Sequence, residues 1–179
     1  TRVPIDYPEA ARAAGVSGPV VLQVTTTAAG TPTDVRVLSG APELVDAAVS
    51  AAWQWRWEPG DAPSQFIMGL HVRPAPPESA GDKAPARIGG SLRPPAKIAD
   101  VRPVYPATAR DERVQGITIS EVLIGTDGQP EMGRVLRSVD PRLDTAALEA
   151  VLRWLYEPTV VDGRAVPVLM TVTVNFALQ

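Results

Sequence analysis

Tyr105-Pro106-Ala107-Thr108-Ala109-Arg110, with a glycine at position 116, is the later of two similar stretches in this chain. The earlier stretch is Tyr7-Pro8-Glu9-Ala10-Ala11-Arg12, with a glycine at position 18. In both, the proline suits the first turn of a short helix, and the glycine opens a run of residues that favour β-strands. This repetition predicts that the chain contains two copies of the structural unit that the stretch begins.

The composition restricts the class of protein. The 179 residues are 45% hydrophobic, which is enough for a buried core in one domain or in two small ones. The net charge of −3 gives no basic surface for nucleic acid, and the lack of cysteine excludes disulfides and thiolate chemistry. Because the sequence starts with Thr1 rather than Met, we expect a fragment or a processed form whose signal or membrane anchor is missing.

Each copy follows the same order of elements: a short helix, a β-hairpin, a longer helix and a last strand. In the second copy, Asp127-Gly128 predicts the hairpin turn, and Asp140-Pro141 predicts the start of the longer helix. Alternation of residue types over residues 168–176 predicts the last strand. The predicted fold class is α+β: two tandem small domains, each a three-stranded antiparallel sheet packed with a short and a longer helix.

A proline-rich stretch separates the two copies. Residues 74–85 lack periodicity and are rich in proline, alanine and charge, and a bend is expected at Gly89-Gly90. The predicted domains are therefore residues 1–73 and residues 93–179, joined by a Pro-rich linker over residues 74–92.

The tryptophans of the first copy fall near the end of its longer helix. This helix is predicted over residues 43–57 and is ended by Glu58-Pro59, just as Glu157-Pro158 is predicted to end its counterpart. Trp53 and Trp57 would then share one helix face. Without a basic groove, this arrangement favours packing of bulky rings on the sheet over a stacking platform for a base or sugar.

The sequence shows no pattern that predicts catalysis. Its acidic residues are scattered, and it contains no Ser-His-Asp order, phosphate-cradling glycine loop or metal-ligand cluster. His71, the single histidine, has no ligand set near it and is predicted to face outward from a strand. We therefore predict a protein that is not an enzyme and has no catalytic residue, cofactor or metal site.

The last strand of the second copy is the candidate for binding. In a sheet of few strands, residues 168–176 would offer a row of free backbone N–H and C=O groups to an extended peptide. The alternative is that neighbouring chain or the other copy protects this edge. The residue pattern alone leaves both interpretations open.

Several motifs of the second copy, taken with their spacing, resemble the TonB C-terminal domain. They are Arg102-Pro103-Val104-Tyr105-Pro106, Gly116, Asp127-Gly128, Leu143-Asp144-Thr145-Ala146-Ala147-Leu148, Trp154-Leu155-Tyr156-Glu157-Pro158 and residues 168–176. The first copy is similar to the same domain through Tyr7-Pro8, Gly18, Gly30, Ala47-Ala48-Val49 and Trp55-Arg56-Trp57-Glu58-Pro59. It departs from that domain in a shorter last loop and in a last strand that carries Gly69 and His71.

The resemblance implies a periplasmic energy-transduction or adaptor module without a cofactor, anchored in the inner membrane by a segment absent from this sequence. The implied partners are a TonB-dependent outer-membrane transporter, whose TonB box peptide adds as a strand beside the last strand, and the ExbB–ExbD complex, through the missing N-terminal part. Nucleic acid is not an expected partner. The residues implied in partner binding are Arg102, Val104, Tyr105, Pro106, Leu169, Thr171, Thr173 and Asn175.

Two other hypotheses fit the same residues. In one, the chain is a structural or sensory periplasmic interaction module, such as the C-terminal part of a membrane sensor, whose two sheets pair edge to edge without a transporter partner. In the other, two chains exchange their last strands to form a homodimer.

Overall fold

The two copies both fold in the predicted order. The computed structural model describes residues 4–74, 84–89 and 92–178, which contain four helices and eleven strands. Most of the predicted linker (residues 75–83) and positions 90 and 91, with half of the Gly89-Gly90 bend, lie outside the described residues. The helices are α1 Glu9–Ala14, α2 Pro42–Gln54, α3 Ala107–Asp111 and α4 Pro141–Val151. The strands are β1 Gly18–Thr26, β2 Pro32–Ser39, β3 Ser64–Val72, β4 Ala86–Arg87, β5 Lys97–Ala99, β6 Gly116–Ile124, β7 Pro130–Arg137, β8 Leu155–Tyr156, β9 Val160–Val161, β10 Arg164–Ala165 and β11 Val168–Phe176.

The sheets of the two copies join edge to edge. The first copy supplies β2-β1-β3 and the second supplies β7-β6-β11, and β3 pairs antiparallel with β7. With β4 at the far edge, the described residues form a seven-stranded sheet in the order β2-β1-β3-β7-β6-β11-β4. The predicted α+β class with two small three-stranded units is confirmed, and the two units share one sheet.

The longer helices lie on opposite faces of this sheet. Val20, Leu22 and Val24 of β1 are buried in one cluster with residues of α2. Val21, whose side chain points to the other face, is buried against Leu148 of α4. Because β3 and β7 run antiparallel, repeating the same strand order turns the second copy over relative to the first. Each copy therefore places its longer helix on a different side.

Two glycines face each other where the copies meet. Gly69 of β3 pairs with Gly133 of β7 at the centre of this junction. A Cβ at Gly69 would lie 2.5 Å from Leu152 Cδ1, and one at Gly133 would lie 2.8 Å from Leu148 Cδ2. Both leucines are fully buried at the C-terminal end of α4. The glycine pair thus lets α4 lie across the junction and contact β3 and β1 of the first copy.

Polar contacts close the same junction at the hairpin turn of the second copy. Arg73 donates to both carboxylate oxygens of Asp127, at 2.6 and 3.1 Å, and both side chains are largely buried. His71 Nδ1–H donates to Pro130 O at 3.1 Å. The prediction that His71 faces outward is therefore wrong, because the second copy covers this side of β3.

Both longer helices end earlier than predicted. The predicted helix over residues 43–57 ends at Gln54, and Trp55 is in an extended conformation and buried. Trp53 and Trp57 therefore do not share a helix face, and Trp57 packs its ring 5.4 Å from that of Phe66. In the second copy, α4 ends at Val151, well before Glu157-Pro158.

A contact with the hairpin-turn glycine explains these early ends. Trp57 N–H donates to Gly30 O at 3.0 Å, and Tyr156 N–H donates to Gly128 O at 2.9 Å. Both glycines have positive φ, of 76° and 79°. The chain must leave the helix before Trp57 and Tyr156 in order to reach these turns. The helical spacing of apolar residues continues past the end of each helix, and it therefore predicts helices that are too long.

One buried carboxylate distinguishes the second copy from the first. Asp144 of α4 is fully buried and accepts hydrogen bonds from Thr118 Oγ1 at 2.8 Å and from Ser138 Oγ at 2.5 Å. Each of these two donors therefore has a defined acceptor. The corresponding positions of the first copy hold residues without polar side chains: Val20, Gly40 and Val45.

We predict that Gly69→Ala destabilises the chain by about 1–3 kcal/mol, because the added methyl must displace the buried Leu152 side chain. Denaturant unfolding measures this loss. Gly60→Ala is the matched control, since a Cβ there meets only Ala62 O at 3.8 Å. Equal stabilities for the two variants would contradict the packing of α4 across the junction.

His71 predicts a pH dependence of stability. Burial lowers its pKa below the ordinary value of 6.5, against the opposing effect of the bond to Pro130 O, while Arg73 and Arg153 lower it further. As pH falls through about 6.5, the unfolded chain therefore binds a proton that the folded chain does not. The free energy of unfolding should decrease between about pH 7.5 and pH 5.5.

Urea titrations at several pH values measure this slope. His71→Gln keeps a donor for Pro130 O but cannot titrate, and it should flatten the slope over that range. Because His71 is the single histidine, an unchanged slope in the variant would rule out this assignment.

Candidate functional site

The outer side of β11 is open along most of its length. On its inner side, β11 pairs with β6 through all nine residues, from Val168 to Phe176. On its outer side it pairs only with β4, in parallel, at Val168 and Leu169. Among the described residues, no strand lies beside residues 170–176 on this side.

The backbone of β11 presents hydrogen-bonding groups to this open side. Leu169 O accepts from Ile88 N–H at 3.2 Å, so the Leu169 peptide groups point outward. Backbone groups alternate along a strand, and those of Thr171, Thr173 and Asn175 therefore point outward as well. The edge thus offers evenly spaced donors and acceptors beyond Leu169.

The intervening side chains fix the position of this edge. Val172, Val174 and Phe176 are buried in the core of the second copy, whereas Thr171 and Thr173 are exposed on the opposite face. The core therefore holds β11 in place while one side of its backbone remains accessible. Such a strand is pre-organised for pairing, because little conformational entropy is lost when a partner binds.

The Tyr105-Pro106 motif reaches the C-terminal end of β11. The Tyr105 ring packs edge-on against Phe176, with ring centroids 5.5 Å apart and planes at 87°. The Tyr105 hydroxyl donates to Val114 O, and Pro106 precedes the first residue of α3. Two of the sequence-predicted groups, the Tyr-Pro motif and the last strand, therefore meet at Phe176.

Val104 and Pro106 lie on a different surface from the edge of β11. They line a groove of about 460 Å³ between the two copies, together with Leu38 of β2 and residues of α4. Val104 is 79% exposed, and Arg102 is also exposed. The structure thus places Val104 and Pro106 in this groove and Tyr105 at the end of the strand edge. Arg102 is not among the residues that line the groove.

Arg142 supplies the main charge cluster beside the groove. Its guanidinium lies 2.9 Å from Asp140 Oδ2 and 2.7 Å from Glu112 Oε2. Hydrogen bonding to Arg142 lowers the pKa of both carboxyls below their ordinary values. The charge of Arg142 is thus paired with two carboxylates, and the three side chains form a structural ion-pair network at the start of α4.

The chain that leads into Arg102 is fixed to the second copy. Strand β5 pairs with β8, and Trp154 Nε1–H donates to Val101 O at 2.8 Å. Lys97 Nζ lies 3.7 Å from the centre of the Trp154 ring. Burial raises the pKa of Tyr156 in β8 to about 12, with a smaller contribution from Asp100. This lead-in is therefore part of the folded unit.

The described part of the chain contains neither a candidate metal-binding cluster nor a candidate membrane-spanning helix. Across residues 4–74, 84–89 and 92–178, no cluster of three or more His, Asp or Glu side chains could hold a metal ion. In the same part of the chain, none of the helices is long and apolar enough to cross a membrane.

Sequence reasoning missed one part of the site, the segment that covers the start of the edge. Ala86 and Arg87 form β4, within residues 74–92, for which the sequence predicts a linker. The signal was short: alternating Ala86-Arg87-Ile88 between a proline and a glycine.

Comparison with known proteins agrees with this architecture. The family model described as "Gram-negative bacterial TonB protein C-terminal" matches residues 3–73 and 101–178. The chain therefore belongs to the family of TonB C-terminal domains and carries two copies of that domain. The two matched segments correspond to the two repeats of the sheet.

A curated relative is "Protein TonB" from Vibrio cholerae serotype O1 (strain ATCC 39315 / El Tor Inaba N16961). It is 30% identical over 88 residues, which is 49% of this chain. The match spans only 36% of that protein's length.

We predict that Tyr105→Phe lowers stability by about 0.5–1.5 kcal/mol, because it removes the hydrogen bond to Val114 O and keeps the ring on Phe176. Tyr7→Phe is the matched variant in the first copy, where the hydroxyl donates to Val16 O at 2.7 Å. Thermal unfolding of both should show losses of similar size. A loss in only one would mean that the two motifs are not equivalent anchors.

Proposed function

We propose that this chain is a periplasmic TonB-type energy-transduction or adaptor module, without catalytic activity. It would bind an outer-membrane transporter by adding the transporter's TonB box as a strand along β11. Membership of the family supports the general role. The observation that carries the specific proposal is the open side of β11 over residues 170–176.

Strand addition suits the chemistry of this edge. The outward backbone groups of Thr171, Thr173 and Asn175 would provide hydrogen bonds that do not depend on the partner's sequence. Exposed threonine side chains on one face leave room for partner side chains, which would supply selectivity. Neither interaction requires a cofactor.

The first copy does not offer an equivalent edge. Its last strand, β3, is the counterpart of β11, and its outer side pairs with β7 at Met68, Gly69 and Leu70. We therefore infer that one chain binds one transporter peptide, through the second copy.

The wider arrangement follows from the same proposal. The two domains would comprise residues 1–73 and 93–179, with residues 74–92 as the linker. A membrane segment outside this sequence would anchor the protein in the inner membrane and contact ExbB–ExbD. The exposed side chains of Arg102 and Val104, with Tyr105 and Pro106, would lie beside the transporter.

A structural or sensory interaction module is the second candidate. The pairing of β3 with β7 favours it, because each copy already uses one edge strand of its sheet to bind the other copy. In that function the chain would have no transporter partner, and the β11 edge would not bind a TonB box.

Titration of the ¹⁵N-labelled chain with a synthetic TonB box peptide separates the two candidates. Strand addition predicts shifts of the Thr171, Thr173 and Asn175 amides and loss of binding in Thr173→Pro, which lacks the outward N–H. Thr173→Val keeps that N–H and should bind as the unmodified chain does. Absence of shifts along β11 would favour the structural or sensory module.

A further inference from the structure

The segment Ala86–Ile88 already pairs with β11 in the manner of an added strand. Ala86 N–H donates to Pro167 O at 2.9 Å, and Ile88 N–H donates to Leu169 O at 3.2 Å. The register places Ala86 beside Val168 and Arg87 beside Leu169, in parallel. This segment, here called the edge segment, therefore uses outward backbone groups at the start of the open edge.

Its side chains alternate as those of a bound strand would. Ala86 and Ile88 pack against the core of the second copy. Arg87 lies on the other face, where its Nη1 is 3.2 Å from Glu121 Oε1. The edge segment thus places its two apolar side chains on the core of the second copy and its cationic side chain beside Glu121 on the opposite face.

The contact is small enough to be displaced. Two residues pair, and the Arg87 side chain is 76% exposed, so solvent screens its ion pair with Glu121. Beyond Ile88, the backbone groups of Gly89 and Leu92 are hydrogen-bonded to each other rather than to β11. The backbone groups of Thr171, Thr173 and Asn175 remain open to a longer strand.

We propose that the edge segment is a built-in competitor for the β11 edge. A peptide that spans all of β11 needs the outward groups of Leu169 and must displace Ile88 N–H from Leu169 O. A peptide that begins at Thr171 does not. This inference rests on the proposed function, and it adds that the linker between the copies regulates how much of the edge a partner can use.

A disulfide lock provides the sharpest test, because the chain has no cysteine of its own. Arg87 and Leu169 are directly paired, and neighbouring strands lie about 4.8 Å apart, within the range that a disulfide spans. In the double variant Arg87→Cys with Leu169→Cys, oxidation ties the edge segment to β11 and reduction releases it. The same molecule is therefore its own control.

The probe is a synthetic TonB box peptide of nine residues, the length of β11, with binding measured by calorimetry. We expect the oxidised form to bind at least about tenfold more weakly than the reduced form. A peptide shortened to reach only Thr171 to Asn175 should bind both forms equally.

Substitution of Ile88 gives an independent measurement. The Ile88→Pro substitution removes the N–H that donates to Leu169 O. The chain with this substitution should bind the nine-residue peptide about threefold to tenfold more tightly than the unmodified chain does. Ile88→Val keeps both the N–H and an apolar side chain, and it should leave the affinity unchanged. Circular dichroism checks that each variant is folded.

The outcomes separate the two proposals. If the long peptide binds, Thr173→Pro abolishes that binding, and oxidation has no effect, the edge segment is not a competitor and the proposed function stands. If the peptide binds none of the forms, the proposed function fails and this inference fails with it. Weaker binding in the oxidised form alone supports both.

Discussion

A helix can lie across the boundary between two sheets only where the strands beneath it leave space. At Gly69 and Gly133, the paired strands have no side chains, and Leu148 and Leu152 occupy the space above them. This packing places α4 on strands of both copies and holds β3 against β7. The last strands of the two copies therefore differ: β3 is paired with β7, whereas β11 keeps a largely open outer side.

The sequence predicted the elements that depend on local patterns. The strand β11, the hairpin turn at Asp127-Gly128 and the start of α4 at Asp140 are where turn chemistry, capping and alternation placed them. The ends of the longer helices could not be predicted this way. The residues after each helix keep apolar spacing, yet they leave the helix to bond Gly30 and Gly128, which are distant in sequence.

The junction and the covered start of the edge depend on non-local pairing, which a single sequence reveals weakly. Gly69 and His71 stood out as departures from the family pattern in the last strand of the first copy. Both are explained by the second copy, which supplies Gly133 and Pro130 as their partners. Ala86–Ile88 gave too short an alternation to predict a strand, because its pairing depends on Leu169 and Pro167.

The cores of the two copies differ at one buried position, which is polar in the second copy and apolar in the first. Asp144 is buried without a basic partner among its hydrogen bonds, and two hydroxyls satisfy it. A buried acceptor left without its donors destabilises a protein more than replacement of the whole group by apolar residues does. The first copy has residues without polar side chains at all three positions (Val20, Gly40 and Val45). Its core therefore lacks the acceptor and both donors together, so no buried polar group is left without a partner at these positions.

The glycine pair at the junction also fixes the order in which the two copies can be joined. The position of Gly133 is held by Val35 in the first copy, since Val24 pairs with Val35 as Val122 pairs with Gly133. The position of Gly69 is held by Thr173 in the second copy. A recombinant gene with the copies in reverse order would bring these branched side chains together beneath a helix. The tandem is therefore directional: the two copies have become complementary halves, and neither can replace the other.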